Sequence, residues 1–433
     1  MIKIFNPGCS DWPEICQRPT QDSAEIEKIC YPIFREVKTL GDSAIRKYTL
    51  KFDGLELKDL EVASDAFELA ADKISAELKS AIKRAYKNIY GFHLAQRSDK
   101  VEVETTEGVL CWQEKRPIDK VGLYIPGGTA PLFSTVLMLA IPAVIAGCRE
   151  IILCTPPDQD GNVPASILYT AQLCGVKRIF KVGGIQAIAA MTFGTESIPR
   201  VYKIFGPGNQ YVTGAKQLST RYNTAIDMPA GPSELLVMAD STADPAFVAS
   251  DLLSQAEHGP DSQVIMVTTD EEMIAKVEAE VLEQIERLPR KTIAQQSITN
   301  SKLIFLADKK EAAEFINQYA PEHYILCSED EAYFLGELRN AGSVFVGPYT
   351  PESAGDYASG TNHTLPTQGY AKQYNGVNLD SFLKSITFQK ITETGLRNIG
   401  PTIEVMAEAE GLIGHKNAVS LRLDQLKSNK SSS

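Results

Sequence analysis

Between Ser23 and about Gln96, apolar residues return every three to four positions, in IEKICYPIFREVKTLGDSAIRKYTLKFDG and again in LKSAIKRAYKNIYGFHLAQR. That spacing predicts amphipathic helices packed on a larger body. The stretch before residue 26 mixes Pro, Cys and acidic residues without a clear period and reads as a small arm. From Lys120 short apolar runs alternate with helical ones. KVGLYIPGG, EIILCTPP, RIFKVGG and KIFGPG read as strands; FSTVLMLAIPAVIAG, ASILYTAQLCG, IQAIAAMTFG and NQYVTGAKQLS read as helices. The alternation restarts at SELLVMAD, where Asp244-Pro245 supplies an N-cap and a first-turn proline and Gly259-Pro260 a stop. QVIMVTT, KLIFLAD, YILCS and SVFVG are the later strands, and Pro321 ends the helix KEAAEFINQYA. This is the pattern of parallel α/β sheets, in two units at roughly 124–233 and 234–350, the second packed with the N-terminal helices. Residues 351–367, PESAGDYASGTNHTLPT, have loop composition. Past residue 376 the chain reads as a helical tail whose last run, VSLRL, is strand-like.

A chain of 433 residues can bury several cores, and its composition, 43% hydrophobic and 23% charged, is that of an ordinary globular protein. A formal charge of −12 argues against nucleic acid or an anionic membrane as the main partner. MIKIFNPGCSDWPE lacks a basic region followed by an apolar core, so no signal peptide is expected. The longest apolar run, 136–147, is too short to span a bilayer. Eight cysteines without a C-x-x-C pair predict reduced, mostly core thiols in a cytoplasmic protein.

Candidate chemistry concentrates on few residues. Only five histidines occur, His93, His258, His323, His363 and His415. Asp356 and His363 lie in the 351–367 segment beside Gly355 and Gly360, where a backbone can bend around a bound group, although a solvated linker would read the same way. Gln255 and His258, three apart on one helix, share a face. With Asp356 and His415 they make an N2O2 set of the kind zinc accepts, though no metal-finger regularity supports it. Glu322-His323 follows Pro321 at a helix-to-strand junction, where irregular backbone can aim both side chains into one pocket. An imidazole suits proton abstraction from an alcohol and a carboxylate suits activating water; a polar helix end on the surface is the plain alternative. Gly127–Gly128, Gly183–Gly184 and Gly206–Gly208 end three strands of the first unit, where open sheets bind ligands. None forms G-x-G-x-x-G, and βα turns alone would account for them. His93, alone among aromatics, reads as a packed residue.

Several long motifs resemble histidinol dehydrogenase: GLYIPGGTAPLFSTVLML, IFGPGN, DMPAGPSE, SQAEHGPDSQV, NQYAPEH, SAGDYASGTNH and HKNAVSLR, within a match from about residue 20 to 424. The resemblance implies two incomplete Rossmann-like α/β domains with a small N-terminal arm and a small, mainly helical C-terminal domain, in an intertwined homodimer. The division it implies is 1–26 for the arm, 27–123 with 234–376 for the domain carrying most zinc and catalytic residues, 124–233 for NAD, and 377–433 for dimerisation. It implies zinc on Gln255, His258, Asp356 and the partner subunit's His415. Substrate would meet Ser233, His323 and Glu410 beside those ligands, NAD would lie against Tyr124, Gln186 and Asn209, and Glu322 and His323 would move protons. The implied reaction is L-histidinol to L-histidinal to L-histidine with two NAD. A related zinc dehydrogenase for another polar alcohol is disfavoured by His363 and Glu410. A zinc hydrolase using Glu322 would need no dinucleotide crevice, and a non-catalytic binding protein would not need Glu322 and His323.

Overall fold

The computed structural model of the chain describes residues 1–19, 23–127 and 131–428; Gly128, expected in a strand-end turn, lies outside them. The strands in chain order are β1 (Ile2–Phe5), β2 (Val101–Thr106), β3 (Val109–Pro117), β4 (Lys120–Tyr124) and β5 (Glu150–Thr155). Next come β6 (Arg178–Lys181), β7 (Lys203–Phe205), β8 (Ala225–Ile226), β9 (Glu234–Ala239) and β10 (Gln263–Thr268). β11 (Lys302–Phe305), β12 (His323–Cys327), β13 (Ser343–Val346) and β14 (Leu383–Ile391) complete the set. They fall into two compact units, one made of Met1–Gln96 with Ile118–Phe382, the other of Arg97–Pro117 with the chain from Leu383 on.

The first unit holds two parallel sheets, ordered β6-β5-β4-β7-β8 and β1-β11-β10-β9-β12-β13. In each sheet the first strand of an α/β run, β4 or β9, lies centrally and the chain turns back beside it; at the carboxyl end of β4 this makes the switch point where ligands collect in open sheets. The strands are apolar on both faces because helices cover both. In β9, Leu235, Val237 and Ala239 enter one core while Leu236 and Met238 enter the other, as the two-residue period of a strand requires. Fully burying each such Leu or Val side chain stabilises the fold by roughly 1.5–3 kcal/mol.

Two expectations need correction here. The N-terminal helices pack against the first sheet's helices, not the second's. Ile26, Cys30, Ile33, Phe34 and Val37 of the helix Ser23–Leu40 share a core with Ile188, Val212 and Leu218. Gly214 allows the approach, since a Cβ there would stand 2.4 Å from Ile26 Cγ2. Helical periodicity marks an apolar face without naming its partner. The supposed arm also contributes structure: β1 pairs in parallel with β11, Ile4 opposite Ile304, and Trp12 stands edge-on to Phe315 at 5.6 Å.

The second unit is a three-stranded antiparallel sheet, β14-β3-β2, with two helices, Glu393–Ala409 and Ile413–Ser428. Residues 383–391, expected to be helical, are a strand. Their apolar residues alternate in KSITFQK, and Phe388 stacks on its cross-strand partner Trp112 at 5.2 Å. VSLRL, expected to be strand-like, continues a helix, with Leu423 packed on Gly400. The stretch from residue 377 is therefore mainly helical, as expected, but opens with a strand.

Candidate active site

The helix Lys309–Tyr319 ends at Ala320 in left-handed conformation (φ 53°), and Pro321 forbids another turn. The chain then enters β12 directly, bringing Glu322 and His323 to its amino end. Both side chains are buried, 6% and 3% exposed as residues, so their polar atoms need protein partners. The backbone of one residue serves both. The Glu234 N–H donates to Glu322 Oε2 at 3.0 Å, and the Glu234 carbonyl accepts from His323 Nδ1 at 3.3 Å. In the neutral ring that bond places the proton on Nδ1 and leaves Nε2 as the basic atom. Nε2 is buried without a hydrogen-bond partner, 3.7 Å from Asp356 Oδ1.

The 351–367 segment is not wholly loop. Pro351 leads into a short helix, Glu352–Tyr357, which puts Glu352 and Asp356 one turn apart. Glu352 was not singled out from the sequence, yet it is 1% exposed and its Oε1 lies 3.7 Å from His323 Nδ1. Ser254 Oγ donates to its other oxygen at 2.9 Å. The Gln255 amide, oriented with its nitrogen toward Glu352, donates to Oε1 and, at 3.2 Å, to Oε2, freeing its own carbonyl oxygen. His363 Nδ1 donates to the Asp356 carbonyl at 2.9 Å, and its Nε2 meets Thr135 Oγ1 at 3.1 Å. His93 is a packed residue: Nδ1 bonds the Ile89 carbonyl at 2.8 Å, and Nε2 faces the Asn362 amide at 3.2 Å.

Charge is crowded here. Burial would lower the His323 pKa, but the carboxylates of Glu322, Glu352 and Asp356 outweigh it and hold it well above the ordinary value. Burial raises Glu322 and pushes Glu352 to about 8. Burial also opposes ionisation of Asp356, yet the close approach of His323 and the charges of His363 and His258 bring it to about 2. His258 is exposed at the cluster's edge, but loss of water on its protein side lowers its pKa, against the pull of Asp356.

Asp251, one turn before Gln255, accepts a bond from the Glu352 backbone N–H, but burial still raises its pKa to about 7. A carboxyl raised in the folded state keeps a proton that the unfolded chain has released above pH ~4. Its contribution is therefore full in acid, is lost from about pH 4 to 7, and is least favourable above. Asp251→Asn keeps the acceptor without the charge. It should raise the melting temperature at pH 8, by an amount equivalent to at most about 4 kcal/mol, and change little at pH 4. Equal shifts at both pH values would refute this.

The donor chemistry fits a divalent cation. Glu322, Glu352 and Asp356 are clustered, and among the described residues no ion pair brings a lysine or arginine to them. Ligand atoms of His323, Glu352 and Asp356 lie within 4.8 Å of one another. Of the four expected ligands, Gln255, His258 and Asp356 belong to this unit. His415, in the first turn of Ile413–Ser428, and Glu410, at the end of Glu393–Ala409, belong to the second unit and are exposed. Ser233, just ahead of β9, lines a narrow cleft with Arg18, Asp261 and Gln368.

At the carboxyl ends of the five-stranded sheet, the glycine turns do converge. Pro156 lies against both Gly127 and Gly183, and the Tyr124 hydroxyl accepts from the Gly184 N–H at 3.0 Å. Gly206 (φ 132°) approaches so closely that a Cβ would stand 2.1 Å from the Tyr124 carbonyl oxygen. Its backbone is held on both sides of the Cα: Lys216 Nζ donates to the carbonyl at 2.7 Å, and the N–H donates to Asp227 at 2.8 Å. Tyr124 is buried, its hydroxyl pushed up to about 12 by desolvation. Gln186 carries a buried amide oxygen without a partner. Asn209 caps the helix Gln210–Ser219 through Oδ1, with N–H donors at 3.1 Å from Tyr211 and Val212.

Residues 16–423 match the family model described as histidinol dehydrogenase. A histidinol dehydrogenase of Bacteroides thetaiotaomicron is 57% identical over 99% of this chain and 100% of its own length. A chloroplastic histidinol dehydrogenase of Arabidopsis thaliana is 52% identical over 94% of this chain and 88% of its own. The crystal structure of histidinol dehydrogenase from Elizabethkingia anophelis superposes with a TM-score of 0.96 at 56% identity, covering 99% of both chains. Parallel α/β sheets, a buried acid–imidazole cluster and full-length similarity agree: the chain belongs to the histidinol dehydrogenase family of oxidoreductases in histidine biosynthesis.

Proposed function

We infer that the protein oxidises L-histidinol to L-histidine by way of L-histidinal, using two NAD and one zinc ion per subunit, as a cytoplasmic homodimer. The observation that carries this reading is the buried Glu322–His323 pair on the backbone N–H and carbonyl of Glu234, with Nε2 of the imidazole free of any hydrogen-bond partner. Gln255, His258, Asp356 and the partner subunit's His415 would hold the zinc. When bound, zinc anchors the polar groups of the substrate and NAD accepts a hydride in each oxidation. Tyr124, Gln186 and Asn209 would line the dinucleotide crevice, and the unpartnered amide oxygen of Gln186 is an acceptor suited to it.

The residues then divide the proton work. His323 Nε2 takes the hydroxyl proton as the alcohol carbon is oxidised, and the Glu234 carbonyl keeps the ring in the right tautomer. Glu322, made more basic by burial, takes a proton from the water that adds to the aldehyde. Ser233 and Glu410 would contact the substrate. No described helix is long and apolar enough to cross a membrane, and the acidic balance disfavours nucleic acid.

The test is the yield of NADH per L-histidinol, with and without chelator. Two NADH per substrate, lost on chelation and restored by zinc, is the expected result. One NADH would remove Glu322 from its role, and none would turn attention to a metal-dependent hydrolase.

A further inference from the structure

We propose that Arg18 and Glu234 form a positioning pair for the catalytic dyad, acting through the Glu234 backbone, whose N–H and carbonyl hold Glu322 and His323. The inference rests on the reading just given. Arg18 comes from the N-terminal segment, far from the dyad in sequence. Its Nε donates to Glu234 Oε2 at 2.7 Å and its Nη2 approaches Oε1 at 3.4 Å, a fork that fixes the carboxylate's plane. The guanidinium is itself held, by the carbonyls of Cys16 at 3.0 Å and Tyr319 at 2.5 Å and by the Tyr319 ring 3.7 Å beneath it. The Tyr319 hydroxyl lies 3.3 Å from Glu234 Oε2 and 3.0 Å from Gln263 Oε1. The side chains are 12% and 1% exposed, so this is a nearly dry ion pair.

A dry ion pair is a poor device for stability alone, because well-packed apolar residues of the same volume usually serve as well. What singles this one out is its place. The residue whose side chain is locked by Arg18 and Tyr319 is the residue whose N–H holds Glu322 and whose carbonyl holds His323. The backbone of both residues is tied into the ladder, Glu322 by the Ser343 N–H that its carbonyl accepts at 2.9 Å and His323 opposite Leu235. The His323 ring has further neighbours, Phe345 at 5.9 Å between ring centres and Asp356 3.7 Å from Nε2, whereas among the described residues the only backbone group bonded to the Glu322 carboxylate is the Glu234 N–H. Release of Glu234 should therefore misdirect Glu322 more than His323, and the water-dependent second oxidation should suffer first.

Arg18→Met and Arg18→Lys in the full-length, zinc-loaded enzyme test this. Arg18→Met is expected to slow histidinal oxidation by about ten- to a hundredfold, the usual effect of an ångström-scale misplacement. The NADH yield should fall from two toward one per histidinol, with free histidinal detectable by a carbonyl trap. KM for histidinol and zinc content should hold. Arg18→Lys should lie between parent and Arg18→Met, because an ammonium restores charge without the fork. If the melting temperature falls while both half-reactions drop equally, or neither drops, the pair is structural and the proposal fails. Should Arg18→Met not fold, Tyr319→Phe keeps the stacked ring and removes one contact to Glu234. A smaller shift of the yield in the same direction supports the proposal, and an unchanged yield overturns it. A parent enzyme that forms no NADH from histidinol would instead sink the underlying reading, before any variant is compared.

Discussion

Glu322→Gln is expected to leave oxidation of histidinol to histidinal within about tenfold of the parent rate and to slow histidinal to histidine by about 10²–10⁴-fold, the usual span of a general base. The amide matches the carboxylate in volume, so the packing at the amino end of β12 stays. It can still accept from the Glu234 N–H that now bonds Oε2 at 3.0 Å. What it cannot do is take a proton from water. The first oxidation needs no water, and its base, His323 Nε2, keeps its bond to the Glu234 carbonyl through Nδ1. Supplying histidinol and histidinal separately and following NADH separates the two steps. Equal losses in both would show that Glu322 acts on the whole site rather than on hydration.

His415→Asn should abolish zinc retention and turnover with little change in melting temperature, because His415 is exposed on its own chain and deletes no core volume. The sharper form of this prediction concerns assembly. A His415→Asn chain lacks the ligand it lends, and a His323→Asn chain lacks the base it keeps; each alone should be inactive. If the site is shared, a mixed dimer has one complete site. Statistical mixing of the two in a twofold dimer should then return about a quarter of parent activity. No recovery, with mixed dimers verified by mass, would place the whole site within one chain.

The two parallel sheets were legible because their strands are short apolar runs separated by helical ones, a pattern that packing on both faces imposes. The glycine turns and the Pro321 stop could be read for the same reason: each is a local backbone demand. What stayed hidden depends on partners distant in sequence. IKIF is a strand only because β11 lies beside it, and KSITFQK only because Trp112 faces Phe388. At the site, Glu322, His323 and Asp356 could be picked out by residue type, and the fold brings them within 3.7 Å of one another through His323. Glu352 hid behind the loop composition of its segment. Its four-residue spacing from Asp356 after Pro351 is the helical signal that could have exposed it. Glu234 meets Glu322 and His323 through its backbone N–H and carbonyl, which no side-chain pattern reports. Arg18 lies 216 residues from the carboxylate it grips, and nothing in either neighbourhood names the other.

The place of β1 bears on how the chain is made. Its neighbour β11 begins at Lys302, so Ile2–Phe5 must wait for nearly three hundred further residues to be made before they can pair. At ordinary elongation rates of ~5–20 residues per second, that delay is roughly 15–60 s. During it the two sheet halves can collapse in order of synthesis, but the outer edge of the larger sheet stays uncapped. A nascent chain stalled before β11 would carry IKIF unpaired, and a product lacking β1 would leave the β11 edge open to another molecule.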